Sequence, residues 1–132
     1  MSRTSTASAS GLWAVAAGGA VGTAARAGLV WLLPAPSAGF PVTVFAINVA
    51  GALALGWLVG RWARPGCDDP GWRRPFFATG LLGSFTTFSA LALEAAQLAG
   101  PRPGVALAYV VASVAVGWAA AAAGWSLGGG RA

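Results

Sequence analysis

The sequence predicts an all-α membrane protein of four transmembrane helices. Three observations carry that expectation. Apolar residues make up 57% of the 132-residue chain and charged residues 8%, whereas a soluble domain carries roughly a quarter charged residues. Four apolar stretches are separated by proline, glycine and charged punctuation. Each has about twenty residues or more, the helical length that crosses a hydrocarbon core of about 30 Å. Twenty glycines and many alanines supply the small side chains that let membrane helices approach closely.

The elements follow in order. Residues 1–11 are Ser/Thr-rich with one arginine and are expected to be a short disordered tail. The apolar stretch that follows is longer than a signal-peptide core and has no clear cleavage site before it ends, so a retained first helix is expected. That helix runs from about Leu12 to Leu33 and stops at PAPSAGFP, residues 34–41. The second runs from about Phe40 to Trp62 and ends in RPGCDDPGWRRP, residues 64–75. The third runs from about Phe76 to Ala99 and is closed by GPRPG. The fourth runs from about Val105 to Leu127, leaving residues 128–132 as a C-terminal tail. Trp13, Trp31, Trp62, Trp72 and Trp125 lie near these ends, the headgroup level that tryptophan favours. Gly18/Gly22 and Gly56/Gly60 form two GxxxG pairs, which favour close helix contacts without specifying a partner.

Charge sets the orientation. The N-terminal tail, the second loop and the C-terminus share one side and hold Arg3, Arg61, Arg64, Arg73, Arg74 and Arg131; the other side holds Arg102 alone. This bias places both termini in the cytoplasm. The lone Cys67 then faces the reducing compartment. With one cysteine and no histidine, the chain has no internal disulfide and no Cys/His metal site. The net charge of +5 is all arginine and scattered, without the run or patch that nucleic-acid binding needs.

Polar groups inside a bilayer are costly and mark function by default. Arg26, in GGAVGTAARAG, either pairs with an anion near a vestibule or snorkels to the membrane edge. Asn48, in VFAINVAG, either donates to a permeating anion or serves as an interhelical hydrogen-bond bridge. The third helix carries GLLGSFTTFSALALE, residues 80–94. Its glycines, serines and threonines are poor interior helix formers, and backbone released from a helical ladder can coordinate ions where protein surrounds it. Phe85 and Phe88 stand among these hydroxyls. An aromatic edge is electropositive, so such rings either line an anion path or simply fill a kinked core. Tyr109 and Ser113 lie four apart on the fourth helix, with Gly117 continuing that face. They form a hydroxyl track, or the serine bonds back to its own helix.

Taken together, GGAVGTAAR (18–26), Asn48 followed by Gly51, and GLLGSFTTFSALALE (80–94) resemble, in order and spacing, the motifs of the Fluc/CrcB family of small fluoride channels. The resemblance covers nearly the whole chain. It implies an antiparallel dimer in the cell membrane with two fluoride pores at the subunit interface. It also implies a third helix broken mid-membrane, with carbonyls at Gly83 and Thr86 holding a structural, untransported Na⁺. It puts Asn48 and Phe88 on the pore, Thr87, Ser89, Tyr109 and Ser113 along the route, Glu94 at the close of the motif, and Arg26 near an entrance. Two departures from the family pattern stand out. The family's second phenylalanine is here Leu91, and the threonine expected four residues before the asparagine is Val44, with Thr43 one place off, about 100° around the helix.

The activity implied is passive fluoride export with no catalytic nucleophile, base or metal. Two other classes compete. A small multidrug-type exporter needs an acid in the first helix, which this chain lacks. A non-conducting subunit of a heteromer is compatible with Leu91. The arginine bias is also hard to reconcile with one chain inserting both ways, so an oppositely oriented paralogue is the expected partner.

Overall fold

The computed structural model describes residues 9–33, 39–67 and 70–130, and every regular element in them is helical. The helices are α1 (Ala9–Leu32), α2 (Val42–Trp62), α3 (Pro75–Leu82), α4 (Gly83–Phe85), α5 (Phe88–Ala99) and α6 (Pro103–Leu127). Four segments are long and apolar enough to span a membrane: Ala9–Leu32, Val42–Trp62, Pro75–Ala99 and Pro103–Leu127, of 24, 21, 25 and 25 residues.

The boundaries differ slightly from expectation. Helix α1 begins at Ala9, so the expected tail loses its last three residues to helix, and residues 1–8 lie outside the described residues. Helix α2 starts at Val42 rather than Phe40, because Pro41 precedes it as the capping residue. Pro75 and Pro103 open α3 and α6; at a first helical position the missing N–H costs nothing and the ring presets φ. Past α6, Gly129 takes φ 86°, the left-handed conformation that ends helices without a Cβ clash. Arg131 and Ala132 lie outside the described residues.

The chain packs as two helix pairs. Helix α2 lies along α6 and α1 along α3, while α1 and α2 barely meet. Both seams are built from glycine. A Cβ at Gly56 or Gly60 would collide with the carbonyls of Ala121 or Trp125, and one at Gly124 or Gly128 with those of Leu53 or Trp57. Gly18 and Gly22 meet the carbonyls of Phe76 and Leu81 in the same way, and Gly80 meets Val15. Lipid is as apolar as leucine, so such helices gain little by hiding side chains from it; backbone proximity and dispersion hold them instead. Accordingly, Trp13, Trp31, Trp118, Leu107 and Val114 face outward, and the buried cluster is small: Val44, Leu91 and Tyr109, with Phe40, Phe45, Ala90 and Ala95 packed on it.

The third span is irregular in its first half and at its centre. Helix α3 is wound wide, so that the Gly83 N–H reaches back to the Ala78 carbonyl, five residues earlier. At Thr86 (φ −76°, ψ 157°) and Thr87 (φ −149°, ψ 121°) the backbone is extended. Helix α5 restarts at Phe88, with the Thr87 hydroxyl accepting from the Ala90 N–H, the usual service of an N-cap threonine.

The seams make a direct prediction. Gly124→Ile should disrupt the α2–α6 pair and cost at least about 3 kcal/mol, because overpacking here meets backbone rather than a flexible side chain. A Cβ at Gly28 meets nothing within 4 Å, so Gly28→Ala should be neutral or stabilising by about 0.5–1 kcal/mol. Thermal unfolding of both variants in detergent checks the contrast.

Candidate functional site

The break in the third span is held open from α2. The Asn48 side chain donates from Nδ2 to the Thr87 carbonyl at 3.0 Å, and its Oδ1 accepts from the Thr87 N–H at 2.8 Å. One side-chain amide therefore replaces a backbone partner for both polar groups of Thr87. Satisfying freed backbone in this way is what permits non-helical structure at membrane depth. An amide carries two N–H donors, and among the described residues the second has no acceptor.

This bridge redirects the helical ladder. In a continuous helix Gly83 would accept from Thr87 N–H and Thr86 from Ala90 N–H. Those donors go instead to Asn48 Oδ1 and to the Thr87 hydroxyl, 3.2 Å from Ala90 N. The Thr86 hydroxyl turns back to donate to Leu82 O at 2.9 Å. The neighbouring Ser84 carbonyl accepts from Arg26 Nε at 3.1 Å. Arg26 thus ties α1 to the end of α4.

Beside the break runs a groove of ≈410 Å³ lined by residues that include Asn48, Thr86, Thr87, Phe88, Leu91 and Ser113. Phe88 is 81% exposed, so its ring stands at the outer edge. Ser113 is 9% exposed, and its buried Oγ has no hydrogen-bond partner among the described residues. A buried hydroxyl left unpaired costs about 1–3 kcal/mol. Gly51 and Gly117 also line the groove. A Cβ at Gly51 would strike the Thr86 methyl, so glycine there is what lets the extended segment lie against α2. A cleft of ≈470 Å³ at the arginine-rich end is larger but contains none of the expected site residues.

The remaining candidates divide between the groove and the core. The Thr87 and Ser89 hydroxyls lie 3.1 Å apart at the start of α5. Leu91 is 9% exposed and belongs to the buried cluster while touching the groove. Tyr109 is fully buried and does not reach the groove; its hydroxyl donates to Glu94 Oε2 at 2.6 Å, and its ring meets the edge of Phe40 with centroids 5.2 Å apart. The hydroxyl track along one face of α6 therefore splits: Ser113 borders the groove with its hydroxyl buried, and Tyr109 locks α6 to α5. Val44 is in the core, and Thr43 donates to Leu33 O at the end of α1, away from Asn48. Sequence reasoning missed the Gly124/Gly128 pair, although its spacing is that of the two GxxxG pairs it found. It also missed the role of Ser84, whose carbonyl leaves no trace in residue type.

Comparison with known proteins bears on this arrangement. A family model described as "CrcB-like protein, Camphor Resistance (CrcB)" matches residues 13–125. A protein named fluoride-specific ion channel FluC from Paracoccus denitrificans is 43% identical over 117 residues, covering 88% of this chain and 92% of its own. One of the same name from Deinococcus radiodurans is 44% identical over 123 residues, with 89% and 93% covered. The fluoride-specific ion channel FluC 2 of Leifsonia xyli is 44% identical over 114 residues, with 84% and 78% covered. The glycine seams apart from Gly128, the interrupted third span and the asparagine that bridges it fall within the residues matched by the family model, and the chain belongs to the CrcB family of multi-pass membrane proteins.

Proposed function

We propose that this chain is a subunit of a fluoride-specific channel that lowers cytoplasmic fluoride by passive export across the cell membrane. The observation that carries this reading is the groove itself. Asn48, Ser113 and the exposed Phe88 ring line one groove, the Ser113 hydroxyl being buried and unpaired among the described residues. Dehydrating a small anion without trapping it calls for several weak donors rather than a full positive charge. Hydroxyl, amide and ring edge are donors of that kind. The driving force is electrical, about 2.3 kcal/mol per unit charge per 100 mV. Family membership supports the same reading: the relatives are named as ion channels and not as enzymes. It also excludes the small multidrug-type exporter.

The functional unit in this reading is an antiparallel dimer with both termini of this chain in the cytoplasm. A groove open on one side, with Phe88 on its rim, becomes a closed path only when a second subunit covers it. Na⁺ is the structural ion of that dimer, held by the carbonyls of Gly83 and Thr86. Their fit rests on the diversion of Thr87 N–H and Ala90 N–H to other acceptors, which leaves oxygen ligands suited to a hard cation. The ion neutralises carbonyl dipoles brought together from two chains. Arg26 and Glu94 act in this reading as positioning residues, through Ser84 O and Tyr109.

The six-to-one arginine bias and Leu91 favour a partner that is an oppositely oriented paralogue. One pore of such a pair combines Phe88 with the partner's second ring, and the other has Leu91 in that place.

Mutagenesis, ion replacement and topology mapping test this reading. In liposome efflux assays, Asn48→Asp should lower fluoride flux at least tenfold, because a like charge replaces a donor and each factor of ten is about 1.4 kcal/mol. Phe88→Ile should lower it by removing the ring edge. Ser113→Ala should lower flux several-fold yet raise thermal stability by about 1 kcal/mol, because an unpaired hydroxyl is removed; stability and flux both unchanged would take Ser113 off the route. Replacing Na⁺ by a bulky organic cation should abolish flux and dissociate dimers, whereas sodium crossing together with fluoride would contradict the structural role. Finally, tags on the termini should be accessible from the cytoplasmic side only, and Phe88→Ile should cost far more flux than Leu91→Ala. Labelling from both sides, with full flux from this chain alone, would indicate a dual-topology homodimer instead.

A further inference from the structure

The groove at the break stops short on its side away from the arginine-rich end. Along α2 its wall begins at Asn48, and along α6 at Val110. Val44, one helical turn before Asn48, is 4% exposed, and Tyr109, one turn before Ser113, is fully buried. Neither lines the groove. Leu91 on α5 packs with both, with one side on the groove and the other in the buried cluster. Phe40 meets Phe45 and Tyr109 edge-on at the same level, with centroids 5.3 Å and 5.2 Å away. Past the cluster, the Tyr109 hydroxyl donates to the half-buried Glu94. Polar groups thus lie on both sides of this level: Asn48 and Ser113 on the groove side, Glu94 and the Tyr109 hydroxyl on the other. The cluster between them is built from apolar side chains and rings.

We infer that Val44 and Leu91, packed against the Tyr109 ring, form a dry barrier that ends this chain's groove and limits ion passage along it. The inference rests on the channel reading and adds to it Val44 and the place where passage stops. An anion in the groove has Asn48 and Ser113 beside it, but the next turn of each helix offers it no donor. Apolar constrictions gate by dewetting. An ion cannot follow the water out of such a place, because nothing replaces its hydration there. The barrier is about one helical turn thick, roughly 5 Å.

The barrier also assigns the direction in which the groove is open. Phe88 is 81% exposed, whereas Leu91, one turn further along α5, is 9% exposed. The way out of the groove therefore runs past the Phe88 ring, toward whatever covers that face, and not past Leu91 toward Glu94. Polarity at the barrier sets this: a hydroxyl in the place of a Val44 methyl, or of the Leu91 side chain, supplies the donor that the level lacks.

Two measurements on the full chain in liposomes test the barrier. The first does not depend on conduction. In a Cys67→Ser background, aqueous Ag⁺ should modify Ala52→Cys, on the groove wall, at least about tenfold faster than Val44→Cys, equal to about 1.4 kcal/mol. Equal rates would overturn the barrier. The second is fluoride efflux. Val44→Thr keeps the branched shape, adds a hydroxyl and should raise efflux several-fold. Leu91→Ser should raise it more than Leu91→Ala, because an apolar cavity stays dry whereas a polar one takes up water. Efflux from Val44→Thr no higher than from the wild type, or equal efflux from Leu91→Ser and Leu91→Ala, would also overturn the inference. If Leu91→Ser does not fold, the near-isosteric Val44→Thr carries the test. A wild type without efflux, but with the tenfold difference in Ag⁺ rates, would instead remove the channel reading and leave the dry barrier standing.

Discussion

The two-way hydrogen bond between Asn48 and Thr87 is the constraint around which the rest of the molecule is arranged. A transmembrane helix cannot simply stop and restart, because each backbone group freed in hydrocarbon costs several kcal/mol. Asn48 meets the N–H and the carbonyl of Thr87 together, and the Thr87 hydroxyl caps the helix that follows. With those groups satisfied, two carbonyls on the near side of the break are released from helical duty. The same substitution of side chain for backbone therefore frees carbonyl oxygens and places polar groups along the wall of the groove.

Everything that holds Asn48 at that height is a matter of small side chains. Helix α2 is fixed by its seam with α6, where four glycines bring backbone against backbone. Gly51, on α2 one turn after Asn48, leaves room for Thr86. The first helix is fixed to α3 by a separate glycine seam, and Arg26 reaches from it to Ser84 O. The break is thus anchored from two helices belonging to different pairs. The pairs themselves touch little, so the interrupted segment and its hydrogen bonds are a main link between them.

The polar groups of the membrane interior differ in how fully they are satisfied, and the difference separates scaffold from site. The Tyr109 hydroxyl donates a hydrogen bond to Glu94, and Arg26 donates to a carbonyl; these bonds join helices. Among the described residues Ser113 has no partner and Asn48 has one donor to spare, and both residues line the groove that Phe88 borders.

The four spans were legible in the sequence to within three residues at each end, because span length and polarity are imposed by the bilayer and need no partner. Pro75, Pro103 and the loop prolines marked where helices start. The break was legible as a weakness, a run of glycine, serine and threonine inside a span. Residue types alone left Asn48 open between an anion donor and an interhelical bridge; the tertiary structure gives it the bridge, through Nδ2 and Oδ1 to Thr87, and places the residue on the groove wall. Tyr109 and Ser113 share a helical face in sequence, yet one is buried against Glu94 and the other borders the groove, because only the placement of α5 decides which turn of α6 it covers. Leu91 likewise reads as a missing ring but packs with Val44 and Tyr109. Composition and spacing determined that this chain crosses a membrane four times and which polar residues it carries there. Which of those residues face one another was decided only by the glycine seams, since helix rotation and height depend on contacts between segments far apart in the chain.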